Sequence, residues 1–71
     1  MQSRTLVEVE ADTESGWVIA LVGKLLEHHE TKLGAIGAAD SIAARRHANT
    51  GEPTGVSVQV GIGRVVIALR G

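Results

Sequence analysis

Apolar and polar residues alternate at the start of the chain. The segment Thr5–Ala11 (TLVEVEA) places valine and glutamate in turn, which is the period-two pattern of a half-buried strand. Turn-forming residues follow, and the run WVIALV at Trp17–Val22 predicts a second strand that is apolar on both faces. The two segments are predicted to pair as a hairpin whose inward side chains include Trp17, Ile19 and Leu21.

A helix is predicted in the middle of the chain. Thr31 is a good N-cap, because its side-chain oxygen can accept from the free amides of the first helical turn. The helix runs from Lys32 to about Asn49, and Gly51 and Pro53 are suited to end it. Before the helix, the segment Leu25–His29 is predicted either as a short third strand or as an extended connection.

Two more strands are predicted after the helix. Val56–Val60 (VSVQV) alternates again, GIG forms a tight turn, and Arg64–Arg70 (RVVIALR) forms the last strand. The inward side chains of that last strand are predicted to be Val65, Ile67 and Leu69. The order predicts one small domain over residues 1–71, an α+β fold of ββαββ type with one helix packed on a curled antiparallel sheet.

The helix and its flanking strands also resemble a known family. The stretch TKLGAIGAADSIAARR lies between GWVIALV and VSVQVGIGRVV, and it resembles the small bacterial family named domain of unknown function 2188. The resemblance covers most of the chain from residue 16 onward, and Gly34 stands where the family pattern has a glutamate. It implies the ββαββ fold and no defined activity. The matching positions are Trp17, Thr31, Ala35, Ile36, Ala39, Ile42, Ala43, Val58, Val60, Gly63 and Arg64.

The composition favours support from a second chain. A domain of 71 residues buries a modest share of its surface and usually depends on disulfides, a metal or oligomerisation. The chain has no cysteine, which excludes disulfides and thiolate metal sites. Trp17 is the only aromatic residue, and its phase with Ile19 predicts a core anchor rather than an interface hot spot. A core of small aliphatic side chains strengthens the case for self-association.

Charge and hydropathy argue against nucleic acid and membrane partners. The net charge is −1, and no apolar run approaches the ~20 residues that span a bilayer. The first residues lack the pattern of a signal peptide, so a cytoplasmic location is expected. Weak nucleic-acid binding is an alternative, through a basic patch that Arg45 and Arg46 at the helix C-terminus would form together with Arg64.

The histidines do not predict a site within one chain. His28 and His29 are adjacent, so in an extended segment they point to opposite faces. His47 lies sixteen residues beyond Thr31, or about 24 Å along a helix. No catalytic residue, metal ligand or cofactor site is therefore predicted, and the chain is expected not to be an enzyme. A metal or acid/base site built from histidines of two subunits is the second alternative.

The uncovered side of the sheet is the predicted interaction surface. If the helix covers one face, apolar residues on the other would be exposed, and exposed patches of this kind mark interfaces. The leading hypothesis is a non-catalytic, self-associating protein-interaction module, a homodimer first of all, with a different partner protein also open. The predicted interface residues are Val18, Ala20, Val22, Val66 and Ala68.

Overall fold

A computed structural model describes residues 4–71. It contains five strands and one helix: β1 (Thr5–Ala11), β2 (Trp17–Leu21), β3 (Lys24–His29), α1 (Lys32–Thr50), β4 (Thr54–Val60) and β5 (Gly63–Arg70). The α+β class is confirmed. The segment that the sequence left open between strand and connection is the strand β3, which pairs with β2. The element order is therefore βββαββ, and the predicted ββαββ order is wrong by this one strand.

All five strands form one sheet in the order β3-β2-β1-β4-β5. β1 pairs with β4 in parallel, with Val7 beside Val56 and Val9 beside Val58. The other three pairings are antiparallel. The predicted antiparallel, curled sheet is thus corrected to a mixed sheet that is not strongly curled. The reason is the helix, which carries the chain across the sheet and lets β4 run in the same direction as β1.

The core lies between α1 and the middle of the sheet. Three alanines of the helix, Ala35, Ala39 and Ala43, are fully buried. They pack on a cluster of strand residues formed by Val7, Val9, Ile19, Val56 and Val58. Because alanine adds little bulk, the helix lies close to the inner strands. Trp17 and Leu21 pack at the margin of this cluster, which confirms the predicted inward phase of β2.

The ends of α1 follow the sequence signals. Thr31 is the N-cap, and its Oγ1 accepts a hydrogen bond from the Gly34 amide at 3.1 Å. Gly51 ends the helix in the left-handed conformation with φ of 72°, and its amide donates to the His47 carbonyl. A glycine is suited to this position because a side chain would add strain there.

β5 departs from simple alternation. Val56 pairs with Ala68 and Ser57 pairs with Val66, so Ile67 is an extra residue in a β-bulge. The bulge shifts the phase, and Ala68 packs against the core on the helix side. Leu69 instead lies opposite Gly55. The predicted inward placement of Leu69 and the predicted outward placement of Ala68 are therefore wrong, and Ile67 has no partner on β4.

Candidate interaction surface

The last strand is the most apolar exposed part of the described chain. Of the ten large apolar side chains that are exposed among residues 4–71, six lie in the β4–β5 hairpin. Four of them are on β5, where the exposed fractions lie between 47% and 59%: Val65, Val66, Ile67 and Leu69. Since β5 ends the sheet on one side, these side chains border an unpaired strand edge. We call Gly63–Arg70 with its free backbone edge the β5 edge.

The exposure of the β5 edge extends to both faces of the sheet. Val65 pairs with Val58, which belongs to the core beneath the helix, so Val65 is on the helix side. Val66 pairs with Ser57 and lies on the opposite side, which we call the open face. The helix covers the inner strands through its buried alanines. It therefore leaves apolar side chains uncovered above and below the last strand.

Both arginines of β5 pair with acidic side chains of the same chain, and these pairs direct them over the sheet and away from its edge. Arg64 Nη2 contacts Glu10 Oε2 at 3.2 Å and Glu8 Oε2 at 3.6 Å on the open face. Arg70 Nη2 donates to Asp40 Oδ2 at 2.6 Å on the helix side. The hydrogen bond and the charge of Asp40 raise the pKa of Arg70. Charged side chains usually protect a free strand edge, but these cations are neutralised and directed inward.

The open face combines a charged centre with apolar margins. Glu8 and Glu10 stand at the centre of this face, where they pair with Arg64. Ser57 lies beside Glu8 in the sheet, and its Oγ is buried without a hydrogen-bond partner. Leu6 and Leu69 flank Gly55, where an added Cβ would meet a Cδ2 atom of each at 3.0 and 3.1 Å. Stacking another sheet flat on this face would bury the central charges, which is costly.

Three of the five predicted interface residues, Val18, Ala20 and Val66, share the open face, and the other two do not. Val18 and Ala20 lie on the open face of β2, opposite His28 and Leu25 of β3, and Ala20 is already buried within the chain. Val22 lies beyond the end of β2, in the turn to β3, with φ of 51°. Val66 belongs to the β5 edge, and Ala68 packs toward the core. Among the five, Val66 is therefore the one with an exposed side chain on the last strand.

The three arginines of the predicted basic patch are not brought together. Arg45 is exposed on α1, and Arg46 on the same helix contacts Glu52 at 3.4 Å. Arg64 is on the open face with its two glutamates, on the other side of the sheet from the helix. The sheet thus separates Arg64 from the helix pair, and acidic side chains accompany two of the three cations.

Each histidine makes a local contact. His28 Nε2 lies 2.9 Å from the Ser15 carbonyl oxygen and 3.4 Å from Asp12 Oδ2, so it joins β3 to the β1–β2 turn. His29 Nε2 lies 2.8 Å from Glu27 Oε1 on the same strand. His47 Nδ1 lies 2.9 Å from the Glu52 carbonyl oxygen after the helix. The pairing of His28 with Val18 and of His29 with Trp17 confirms that the two point to opposite faces.

Residues 4–71 hold no group of three or more potential metal ligands and no pocket. Among residues 4–71, no helix is both long enough and apolar enough to cross a membrane.

The sequence missed most of the β5 edge. Val65, Ile67 and Leu69 are predicted to be inward; Val65 does lie on the helix side, yet all three side chains are about half exposed. The available signal was the run VVIAL itself, which is apolar at consecutive positions and suits a strand buried on both faces. Here that run forms an edge strand, so an apolar run by itself does not distinguish an edge strand from a central one.

Comparison of the chain with protein-family models, with curated proteins and with solved structures gave no match. The resemblance to the domain of unknown function 2188 family therefore stays a prediction.

Proposed function

We propose that this chain is a self-associating protein-interaction module without catalytic activity. The observation that carries the proposal is the β5 edge, where four large apolar side chains are about half exposed beside an unpaired strand. Burying apolar area is the dominant favourable term in most protein association. An edge of this kind is also a template for pairing with another chain.

The size of the domain supports the same proposal. The nine buried core residues are valine, isoleucine and alanine, with no aromatic side chain among them. Such a core buries little area per residue, and small domains commonly gain stability by association. A second chain that covers the apolar hairpin would supply part of the missing burial.

The contacts of the histidines support a structural role for them. His28 joins β3 to the β1–β2 turn, His29 contacts a neighbour on its own strand, and His47 contacts the backbone that follows the helix. Each imidazole thus has a partner that fixes a turn, a strand or a helix end. These contacts favour an interaction domain over a histidine-based enzyme.

Light scattering after size-exclusion chromatography tests the proposal, with loading concentrations from about 1 µM to about 1 mM, the range in which weak dimers form. The expected result is a mass that rises from one chain toward two. A mass that stays at one chain through the whole range would contradict self-association. Thermal unfolding over the same range gives a second readout, since coupling to dimer formation makes the midpoint rise with concentration.

A further inference from the structure

We infer that the partner of the β5 edge is the β5 edge of a second copy, paired antiparallel about a two-fold axis. The inference rests on the proposed function and deepens it by naming the strand and its direction. The product is one continuous sheet of ten strands, with both helices on the same side, because the axis is perpendicular to the sheet.

Exposure on both faces favours edge pairing over face-to-face stacking. A partner stacked on the open face would cover Val66 and leave Val65 in water, because the two lie on opposite sides of β5. A strand added at the edge places cross-strand neighbours beside both residues. It also supplies partners for the free backbone groups of β5. The charged centre formed by Glu8, Glu10 and Arg64 stays in water in this arrangement.

The placement of charge allows the edge to pair with a second copy of itself. With the axis between Val66 and Ile67, Val65 lies opposite Ala68 of the second copy, and both are on the helix side. Arg64 then lies opposite Leu69 of the second copy and is not opposite Arg70. Like charges directly opposite are destabilising in a sheet, and this register avoids them. The bulge at Ile67 brings the faces of the two copies into agreement.

The other edge of the sheet is less suited to a second copy. β3 carries Lys24, Glu27, His28 and His29 among its six residues. Its lysine and glutamate oppose the addition of another strand, because charged side chains on an edge strand disfavour such pairing. The comparison predicts that association uses β5 and leaves β3 free.

A matched pair of lysine variants tests which edge is used. Val66 and Leu25 are both exposed on the open face, one on each edge strand. The variant Val66→Lys should weaken the dimer at least about 100-fold, because it places a cation next to its symmetry mate. The variant Leu25→Lys should change the dissociation constant by less than about twofold. Circular dichroism and thermal unfolding confirm that both variants are folded.

Single-cysteine variants test the direction of the strands, since the chain has no cysteine of its own. In an antiparallel pair, Val66 lies next to the axis, whereas Ile62 in the turn lies about 30 Å from its mate at about 3.4 Å per residue. A short bis-maleimide should therefore join Val66→Cys into a covalent dimer and leave Ile62→Cys uncross-linked. Leu25→Cys on the other edge serves as the negative control.

The outcomes separate this inference from the proposed function. A dimer that Leu25→Lys disrupts and Val66→Lys does not would overturn the β5 pairing, while self-association stands. Cross-linking through Ile62→Cys in place of Val66→Cys would overturn the antiparallel arrangement. A chain that remains a monomer at all concentrations removes both the inference and the proposed function.

Discussion

The two edges of the sheet differ in what their side chains do. β3 places a lysine, a glutamate and two histidines along six residues, and His28 joins the strand to the β1–β2 turn. β5 has cations at Arg64 and Arg70 only, and both are directed over the sheet by acidic partners. Each edge contains one bulge, so backbone irregularity does not distinguish them. The difference teaches that two edges of one sheet can differ in side-chain charge alone, and we propose that this charge decides which edge accepts a partner.

The largest effect on association is expected when β3 is made similar to β5 in side-chain charge. Replacing both Glu27 and His28 by valine gives an edge that is apolar on both faces, since the two residues lie opposite Ile19 and Val18. Each copy would then have two edge strands that can pair with another copy, so the assembly would grow beyond a dimer. The expected result is a mass that keeps rising beyond two chains with concentration, measured by sedimentation velocity.

The control for that variant replaces Glu27 and His28 by lysine. It removes the same native contacts and keeps the edge charged, so the association should match that of the unmodified chain. A plateau at two chains for the double-valine variant would contradict the protective role of charge on β3.

A second prediction compares one glycine near each edge. Gly16 has φ of 77°, and an added Cβ would lie 2.7 Å from the His29 carbonyl oxygen of β3. Gly61, in the β4–β5 turn, has φ of 60° with nothing within 4 Å. Gly16→Ala should cost about 3 kcal/mol, because left-handed strain adds to a clash with backbone. Gly61→Ala should cost about 1 kcal/mol from strain alone.

Urea unfolding of the two alanine variants measures this difference at one protein concentration, so that association contributes equally. The slope of the unfolding free energy against urea should be the same for both variants. Equal losses of stability would mean that the β1–β2 turn can move away from β3, contrary to the close contact at Gly16.

A third prediction concerns the turn that leads into β3. Val22 and Gly23 connect Leu21 to Lys24, and both have positive φ, of 51° and 76°. A two-residue hairpin loop with two positive φ values favours asparagine followed by glycine, and a β-branched residue is strained there. Val22→Asn should therefore stabilise the domain by about 1 kcal/mol and raise its unfolding midpoint by about 4–8 °C.

The same substitution sharpens the comparison of the edges. Val22 is 82% exposed and was predicted from the sequence to be at the interface. If β5 provides the contact, Val22→Asn leaves the dissociation constant of the dimer unchanged. A weaker dimer would show that Val22 lies at the interface and that the two copies contact each other at the β3 edge of the sheet.

The sequence predicted the elements well where the signal is local. Alternation in Thr5–Ala11, the cap at Thr31 and the left-handed end at Gly51 all depend on neighbouring residues, and each is confirmed. The strand order depends on how distant segments meet, and the parallel pairing of β1 with β4 has no local signature. The bulge at Ile67 is a property of the β4–β5 pair, so alternation alone gave the wrong phase for Leu69. For the same reason the sequence could not show that VVIAL forms an edge.

The smallest effect on association is expected when the contact that holds Arg70 on the helix side is removed. Asp40 accepts a hydrogen bond from Arg70 Nη2 and raises its pKa, and both side chains are about two-fifths exposed. Asp40→Asn would release the cation toward the β5 edge, where it opposes an incoming strand. The amides of Leu69 and Arg70 should exchange faster, and the dimer should weaken roughly two- to threefold. Asp40→Glu keeps the charge and is the matched control.

A pKa that is raised in the folded chain contributes stability that is lost only as pH rises through it, so Arg70 stays charged between about pH 6 and 9. The ratio of exchange rates between Asp40→Asn and the unmodified chain should therefore be constant across that range. Unchanged exchange at Leu69 and Arg70 would show that the end of β5 is held by its pairing with β4 alone.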